Sequence, residues 1–315
     1  MDGRVLKLGT RGSRLALWQA EWVRSQLTAP CEIEIIKTSG DQLKDVPLQG
    51  QSTMGFFTRE IERALLERRV DLAVHSLKDL PVEQPEGLEL GAILERHDPN
   101  DALLVRPEAL DASLPLPVRR GARVGAGSLR RSSTLRALRP DLEAVLVRGN
   151  VPTRVRKTVD GDVDAIVLAR AGIARLGLDV SPLVMYDLDP ATWVPAPGQA
   201  AVAIEVRSAD AFVLEAVSCL DHAATRSSVE LERRLLVLAG GGCHAPFAAW
   251  VCDAGGAGVV QASVGASARD GTWRLQRYTG PAVQVEEAAR SWFEQGCPGP
   301  GESMSDEGIC APARQ

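Results

Sequence analysis

Val5-Leu-Lys-Leu-Gly-Thr10-Arg-Gly-Ser13-Arg-Leu-Ala-Leu-Trp18-Gln-Ala-Glu-Trp22-Val-Arg-Ser-Gln-Leu27 changes its period part-way along. Residues 5–9 have the character of a short strand, whereas Leu15, Trp18, Trp22 and Gln26 recur at helical spacing, with Val23 and Leu27 beside that stripe. The helix ends before Pro30. A strand passing through Thr10-Arg-Gly-Ser13 into an amphipathic helix is the building unit of an α/β fold.

The unit repeats along the first two thirds of the chain. Strands are expected at 32–37, 72–75, 88–93, 102–105, 123–125, 144–147, 165–169 and 201–206, with helices between them. Phe57, Ile61 and Leu65 mark a second helix, and Leu135 with Leu138 a third that stops near Pro140. His97-Asp-Pro-Asn100 and Pro195-Ala-Pro-Gly198 are turn-rich joints. From about Leu214 the pattern becomes two helical stretches, a short-stranded region of small residues and a last helix near 285–294. The expected fold class is therefore α/β: two doubly wound domains with mainly parallel sheets, followed by a smaller α+β domain. The expected division is 1–96 with 196–213, then 97–195, then 214–295, with a flexible tail over 296–315.

A chain of 315 residues exceeds what one core organises, which agrees with two or three domains. Its 45% hydrophobic and 24% charged residues are those of a soluble globular protein. No apolar run approaches the roughly eighteen residues that cross a bilayer, and Met1-Asp-Gly-Arg-Val-Leu-Lys7 lacks a basic region followed by an apolar stretch, so no export signal is expected. The cytoplasm is the expected location, with no membrane partner. A net charge of −5 excludes a general nucleic-acid footprint but leaves room for a local basic pocket. The six cysteines form no Cys-x-x-Cys pair and no metal spacing with the four histidines, so no metal is expected and the thiols are free in a reducing compartment.

The arginines cluster where strands meet helices. Arg11 and Ser13 follow the first strand, Ser128, Arg130 and Arg131 follow the strand at Val124, and Arg148 and Arg154 flank the joint after Val147. A cation in the first turn of a helix opposes the helix dipole by about 0.3 to 1 kcal/mol unless an anion sits there. Three such junctions point to an anionic ligand, bound by helix N–H groups and guanidinium forks beyond the carboxyl ends of the strands. Pairing with surface carboxylates is the alternative for any one of them. Gly125-Ala-Gly127 is not a dinucleotide loop, because Arg130 stands where the third glycine belongs.

Asp71-Leu-Ala-Val-His-Ser76-Leu-Lys78-Asp79-Leu-Pro81 runs from a buried strand into a loop with a lysine and a carboxylate side by side. Asp79 is either a turn-forming or lysine-paired residue, or an acid/base group facing the anion site, with Lys78 favouring its ionised form. Further on, Leu238-Ala-Gly-Gly-Gly-Cys243-His-Ala-Pro246 presents a thiol in a loop to which something comes close. Cys243 with His244 could suggest a hydrolase, but neighbours in extended backbone point in opposite directions, so His244 is poorly placed to activate Cys243.

Together these segments resemble the porphobilinogen deaminase family of tetrapyrrole biosynthesis, over the chain to about residue 295. The likeness rests on residues 9–20, 73–81, 128–131, Arg148-Gly-Asn150 with Thr153-Arg154, 164–169 with Arg175-Leu-Gly177, Pro197-Gly-Gln199, and Gly241-Gly-Cys-His-Ala-Pro246. The resemblance implies two domains like periplasmic solute-binding proteins and a third that carries the cofactor cysteine. It implies head-to-tail joining of four porphobilinogen molecules with release of ammonia, on a dipyrromethane cofactor tied to Cys243 by a thioether. Asp79 takes the catalytic place by this resemblance. Arg11, Ser13, Phe57, Ser76, Lys78, Ser128, Arg130, Arg131, Arg148, Arg154, Arg175 and Gln199 take the places that hold cofactor or substrate. The implied protein is a monomer whose partner is a small-molecule substrate. Met54 departs from the family pattern, standing where a lysine is usual, and Ala126-Gly127 replaces a frequent pair of hydroxyl residues. A non-catalytic two-lobed protein binding a polycarboxylate is the competing expectation.

Overall fold

The computed structural model describes residues 4–39, 58–240, 246–254 and 258–298. The first sheet contains β1 (Leu6–Thr10), β2 (Cys31–Ile35), β3 (Leu72–Ser76), β4 (Leu88–Ile93) and β10 (Val202–Arg207), in the order β2-β1-β3-β10-β4. The second contains β5 (Asp101–Val105), β6 (Arg123–Ala126), β7 (Glu143–Leu146), β8 (Ala165–Ala169) and β9 (Val184–Asp187), in the order β7-β6-β8-β5-β9. Each sheet is built to the same plan, with four strands running one way and one reversed strand inserted next to the edge, antiparallel to both of its neighbours. The inserted strand is in each case the one that follows a crossing between sheets. Residues 94–100 lead into β5, and residues 188–201 lead back into β10.

The central strands show why the sequence commits to this architecture. β5 and β10 are buried at every position and β3 at all but its last, so they do not alternate between buried and exposed residues, and their polar members Asp101, His75, Glu205 and Arg207 are enclosed with the apolar ones. β2 and β7, at the edges, keep exposed residues. Helices α1 (Arg14–Gln26) and α2 (Arg59–Leu66) follow strands of the first sheet. Helices α3 (Leu129–Leu138), α4 (Val151–Val159) and α5 (Arg170–Arg175) follow β6, β7 and β8 of the second. The result is the doubly wound, two-sheet arrangement expected from the alternation; the ends of the expected strands in these two sheets fall within about two residues of those observed, whereas β9 at the edge of the second sheet was not expected.

After α6 (Ala211–Ser218) and α7 (Ala223–Leu238), β11 (Phe247–Asp253), β12 (Val259–Ser267) and β13 (Trp273–Pro281) form an antiparallel sheet. Helix α8 (Ala282–Glu294) packs with α7 on it around Leu235, Phe247, Val264 and Trp292. Among the described residues no helix is long and apolar enough to cross a membrane.

Four sequence expectations change. The third unit does not begin at Leu214, because Val213 and Val217 of α6 pack with Leu6, Leu72 and Val206 in the first core. Its strands are not short, running to seven, nine and nine residues. The tail is ordered over 296–298: Cys297 is buried in the third core and Trp292 Nε1 donates to the Pro298 carbonyl at 3.2 Å. On α1 the fully buried residues are Gln19, Ala20 and Val23, not the expected stripe of Leu15, Trp18, Trp22 and Gln26. The two indoles are half-buried and face the crossing at His97.

Candidate active site

Three strand-to-helix junctions open between the two sheets. Ser13 accepts from the Ala16 N–H, Ser128 from the Arg131 N–H and Asn150 from the Thr153 N–H, each as the N-cap of its helix. None of these helices has an acidic residue in its first turn, so their positive ends are not compensated locally.

A single turn of 3-10 helix, Leu77–Asp79, follows β3 and sends its two charged side chains to different recesses. Asp79 lines a recess of about 450 Å³ with Arg11, Ser13, Gln19, His75 and Ser76. Gln19 Nε2 donates to Ser76 Oγ at 2.8 Å. Lys78 lines a second recess of about 500 Å³ with Arg131, Arg154 and Arg175. Ser76 and Leu15 border both, so the recesses are adjoining parts of one cleft. Among the described residues lining them, Asp79 is the only carboxylate.

The second recess is a concentrated cationic field. Burial, chiefly, pushes the Lys78 ammonium down to about 8, with Asp79 opposing that shift and Arg131 adding to it. Burial likewise pushes Arg154 down to about 10, with Arg131 adding and Asp79 opposing, and burial alone brings Arg175 to about 10. All three are cationic at neutral pH. Arg154 Nε donates to the Gly149 carbonyl at 2.7 Å, and a side chain at Gly127 would collide with its guanidinium. A compact ligand bearing several carboxylates fits this donor set, because the recess supplies four cations and no lining anion.

Arg130 and Arg131 differ from one another. Arg130 Nη2 and Arg131 Nε and Nη2 all donate to Asp101, at 2.8, 3.1 and 2.7 Å. Trp193 Nε1 and Gln199 Nε2 complete five hydrogen bonds to that one buried carboxylate. Burial opposes ionisation of Asp101, and the two guanidiniums outweigh it, holding the carboxyl well below the usual carboxylate range. Arg131 still borders the second recess, whereas Arg130 turns to Asp101 and the Val194 carbonyl and borders neither recess. For Arg130 the pairing alternative applies, with a buried carboxylate in place of a surface one. Gln199 is also enclosed in this network, donating to the Pro99 carbonyl at 2.7 Å. Arg148 and Ser128 stand at their junctions outside both linings. Cys243, Phe57 and Met54 lie outside the described residues.

Several groups were not singled out from sequence. Gln19 sits one position off the expected α1 stripe, and only its contact with Ser76 reveals its place. Asp101 carried only the signal of a polar residue at the start of an apolar strand. His75 Nε2 lies 3.2 Å from Glu205 in a buried pair across β3 and β10, which a strand periodicity cannot disclose.

Comparison with known proteins gives a consistent set of likenesses. The family profile described as "Porphobilinogen deaminase, dipyromethane cofactor binding domain" matches residues 6–215. A porphobilinogen deaminase of Nitratidesulfovibrio vulgaris (strain DP4) is 50% identical over 250 residues, 77% of either chain. One of Syntrophobacter fumaroxidans is 46% identical over 252 residues, 78% of this chain and 80% of its own. One of Desulforudis audaxviator is 44% identical over 294 residues, 91% of this chain and 93% of its own. An ancestral cationic amino acid solute binding protein aligns with 69% of this chain and 87% of its own at 13% identity and a TM-score of 0.40, too loose a likeness to bear on this chain.

Proposed function

Because this chain belongs to the porphobilinogen deaminase family, we infer that it is a hydroxymethylbilane synthase, a transferase that joins four porphobilinogen molecules head to tail. Four ammonia molecules leave, and hydrolysis releases the linear hydroxymethylbilane. Its cofactor is dipyrromethane. When bound, that group supplies the free α-carbon from which the product grows. The binding-protein alternative is not favoured, since relatives named for the deaminase activity match over most of the chain.

The observation that carries the site assignment is the position of Asp79, the one lining carboxylate of the described cleft, beside a recess of four cations. Each pyrrole brings an acetate and a propionate, so the cationic recess suits the carboxylates and the Asp79 recess suits the ring. On this proposal Lys78, Arg131, Arg154 and Arg175 bind carboxylates in the second recess, and Arg11 and Ser13 orient the incoming ring in the first. Asp79 accepts hydrogen bonds from the pyrrole N–H, assists departure of the protonated aminomethyl group as ammonia, and stabilises the positive azafulvenium ring left behind. It then takes the proton lost from the α-carbon after the new C–C bond forms. A carboxylate suits these steps because the developing charge is positive and the moving protons lie on or beside the ring. Arg130 and Gln199 act from behind, holding Asp101 and through it Arg131.

We assign the thioether to Cys243, three residues beyond Gly240 and just after α7; the support is its motif and its place in a glycine run. The chain is further proposed to work as a cytoplasmic monomer on a diffusible substrate, without a nucleic-acid or membrane partner. Intact-mass measurement tests the central assignments. The purified chain is expected to exceed its sequence mass by two porphobilinogen units less two ammonia, with the adduct on the peptide containing Cys243, and Cys243→Ser to lack it. Asp79→Ala is expected to keep the adduct and lose turnover by at least about a hundredfold. Ammonia release near the wild-type rate from that variant would remove Asp79 from its role.

A further inference from the structure

Arg175 ends α5, yet its guanidinium is held by groups from elsewhere. Nη2 donates to the Ala200 carbonyl at 2.6 Å, and Nε donates to His97 Nδ1 at 3.4 Å. Its Cζ lies 5.5 Å from the Trp18 ring and 6.0 Å from the Trp22 ring, within cation–π reach. The His97 ring is 4.8 Å from Trp22 and 6.0 Å from Trp18. These partners come from three parts of the fold: α1, the crossing over 94–100 and the return crossing over 188–201. Ala200 adopts φ 69°, a left-handed conformation costly for a residue with a Cβ, at the point where its carbonyl receives Arg175.

Every one of these partners is uncharged. Burial is the sole cause of the lowered Arg175 pKa, with no carboxylate contributing among the described residues, so its charge is left for an anion in the recess that it lines. A carboxylate at position 97 would neutralise that charge and compete with the ligand. A neutral imidazole orients the guanidinium without doing either.

We propose that His97, with Trp18 and Trp22, is a positioning group that holds Arg175 toward a carboxylate of the pyrrole chain, and that protonation of His97 lets Arg175 go. This rests on the reading that Arg175 binds carboxylate in the second recess. His97 accepts from Arg175 only while Nδ1 carries its lone pair; a proton there sets donor against donor and cation against cation. The groups facing His97 are Arg175 from α5 and the two indoles of α1, with Glu95 on its own segment. Its flanking residues are engaged elsewhere: Arg96 is paired with Glu232, and Asp98 accepts from the Asn100 N–H. Burial and then Arg175 lower the His97 pKa, and Glu95 raises it, the net shift being downward. The imidazole is therefore neutral at pH 7, and the clasp opens only as pH falls below the ordinary histidine range.

Steady-state kinetics of the primer-bearing enzyme, with tryptophan fluorescence over about pH 5 to 8, test this. On acidification the KM for porphobilinogen is expected to rise about tenfold, the loss of one charge-assisted contact, with kcat changing less. A fluorescence change from the indoles beside His97 should share the midpoint. His97→Gln, which offers an acceptor but does not titrate, should abolish both transitions, and His97→Leu should show the acid-limit KM at every pH. A His97→Gln variant that keeps the wild-type KM profile, or a fluorescence transition with no accompanying change in KM, overturns the proposal. Arg175→Gln separates the two ideas. If it leaves KM unaltered, the carboxylate-binding reading falls; if it raises KM while His97→Gln still follows the wild-type profile, only the positioning role falls.

Discussion

Lys78 and Asp79 are covalent neighbours whose side chains serve adjoining recesses, because one 3-10 turn after β3 separates them in direction. Burial keeps Lys78 easier to discharge than an ordinary lysine, at about 8, so its attraction for carboxylates is present below that pH and fades above it. We expect kcat/KM for porphobilinogen to fall as pH rises through 8 or somewhat higher, since bound carboxylates raise the value again. Lys78→Arg keeps its charge and should move that limb out of the measured range; a variant profile that overlays the wild type would show that Lys78 is not the titrating group. The adjacent charges were legible in the sequence as a motif, but their divergence was not, because adjacency does not set side-chain direction in a turn. Asp101 was less legible still. Its partners lie between 29 and 98 residues away, and only the fold gathers them.

Helix α4 illustrates what an element contributes to the site. Asn150 accepts from both the N–H and the Oγ of Thr153, at 2.9 and 2.7 Å, and Arg154 is the next residue. Removing that cap by Asn150→Ala is expected to cost about 1 kcal/mol in urea unfolding and to raise KM, since the first turn that carries Arg154 loosens. Stability and KM both at wild-type values would mean that the cap neither holds the turn nor places the arginine. The helix start itself was foreseeable from the strand-to-helix joint. Which face of α1 enters the core was not, since two stripes a residue apart have similar spacing. The sheet selects Gln19, Ala20 and Val23, with Ser76 satisfying the buried amide, and leaves Trp18 and Trp22 for the crossing.

At the scale of the whole molecule, Glu232 on α7 ties the three sheets together. It receives Arg96 from one crossing at 2.7 and 3.2 Å, the Gly198 N–H from the other at 2.7 Å and the Val251 N–H of β11 at 2.9 Å. The carboxylate is fully buried, so breaking the pair leaves an uncompensated arginine. Glu232→Gln is expected to cost about 3 to 5 kcal/mol and to split thermal unfolding into separate transitions for the C-terminal sheet and the remainder. One transition at the wild-type Tm in calorimetry would show that the joint lies elsewhere. The same helix leads to Gly240, three residues before Cys243 in the sequence, so this joint also fixes the root of the proposed cofactor tether.

What the sequence by itself determined was local in character: the alternation of strand and helix, the basic strand-to-helix joints, the Lys78-Asp79 pair and the glycine run before Cys243. Period and turn chemistry are written within a few residues, so they need no distant partner to be recognised. The tertiary structure decided which cations remain for a ligand. Arg130 and Arg131 are neighbours in the chain and both are held by Asp101, yet only Arg131 also borders the cleft. Arg175 keeps its charge because the groups that hold it are a carbonyl, an imidazole and two indoles. Electrostatic pairing is settled by distances in space, and those distances exist only once both crossings have brought the sheets together.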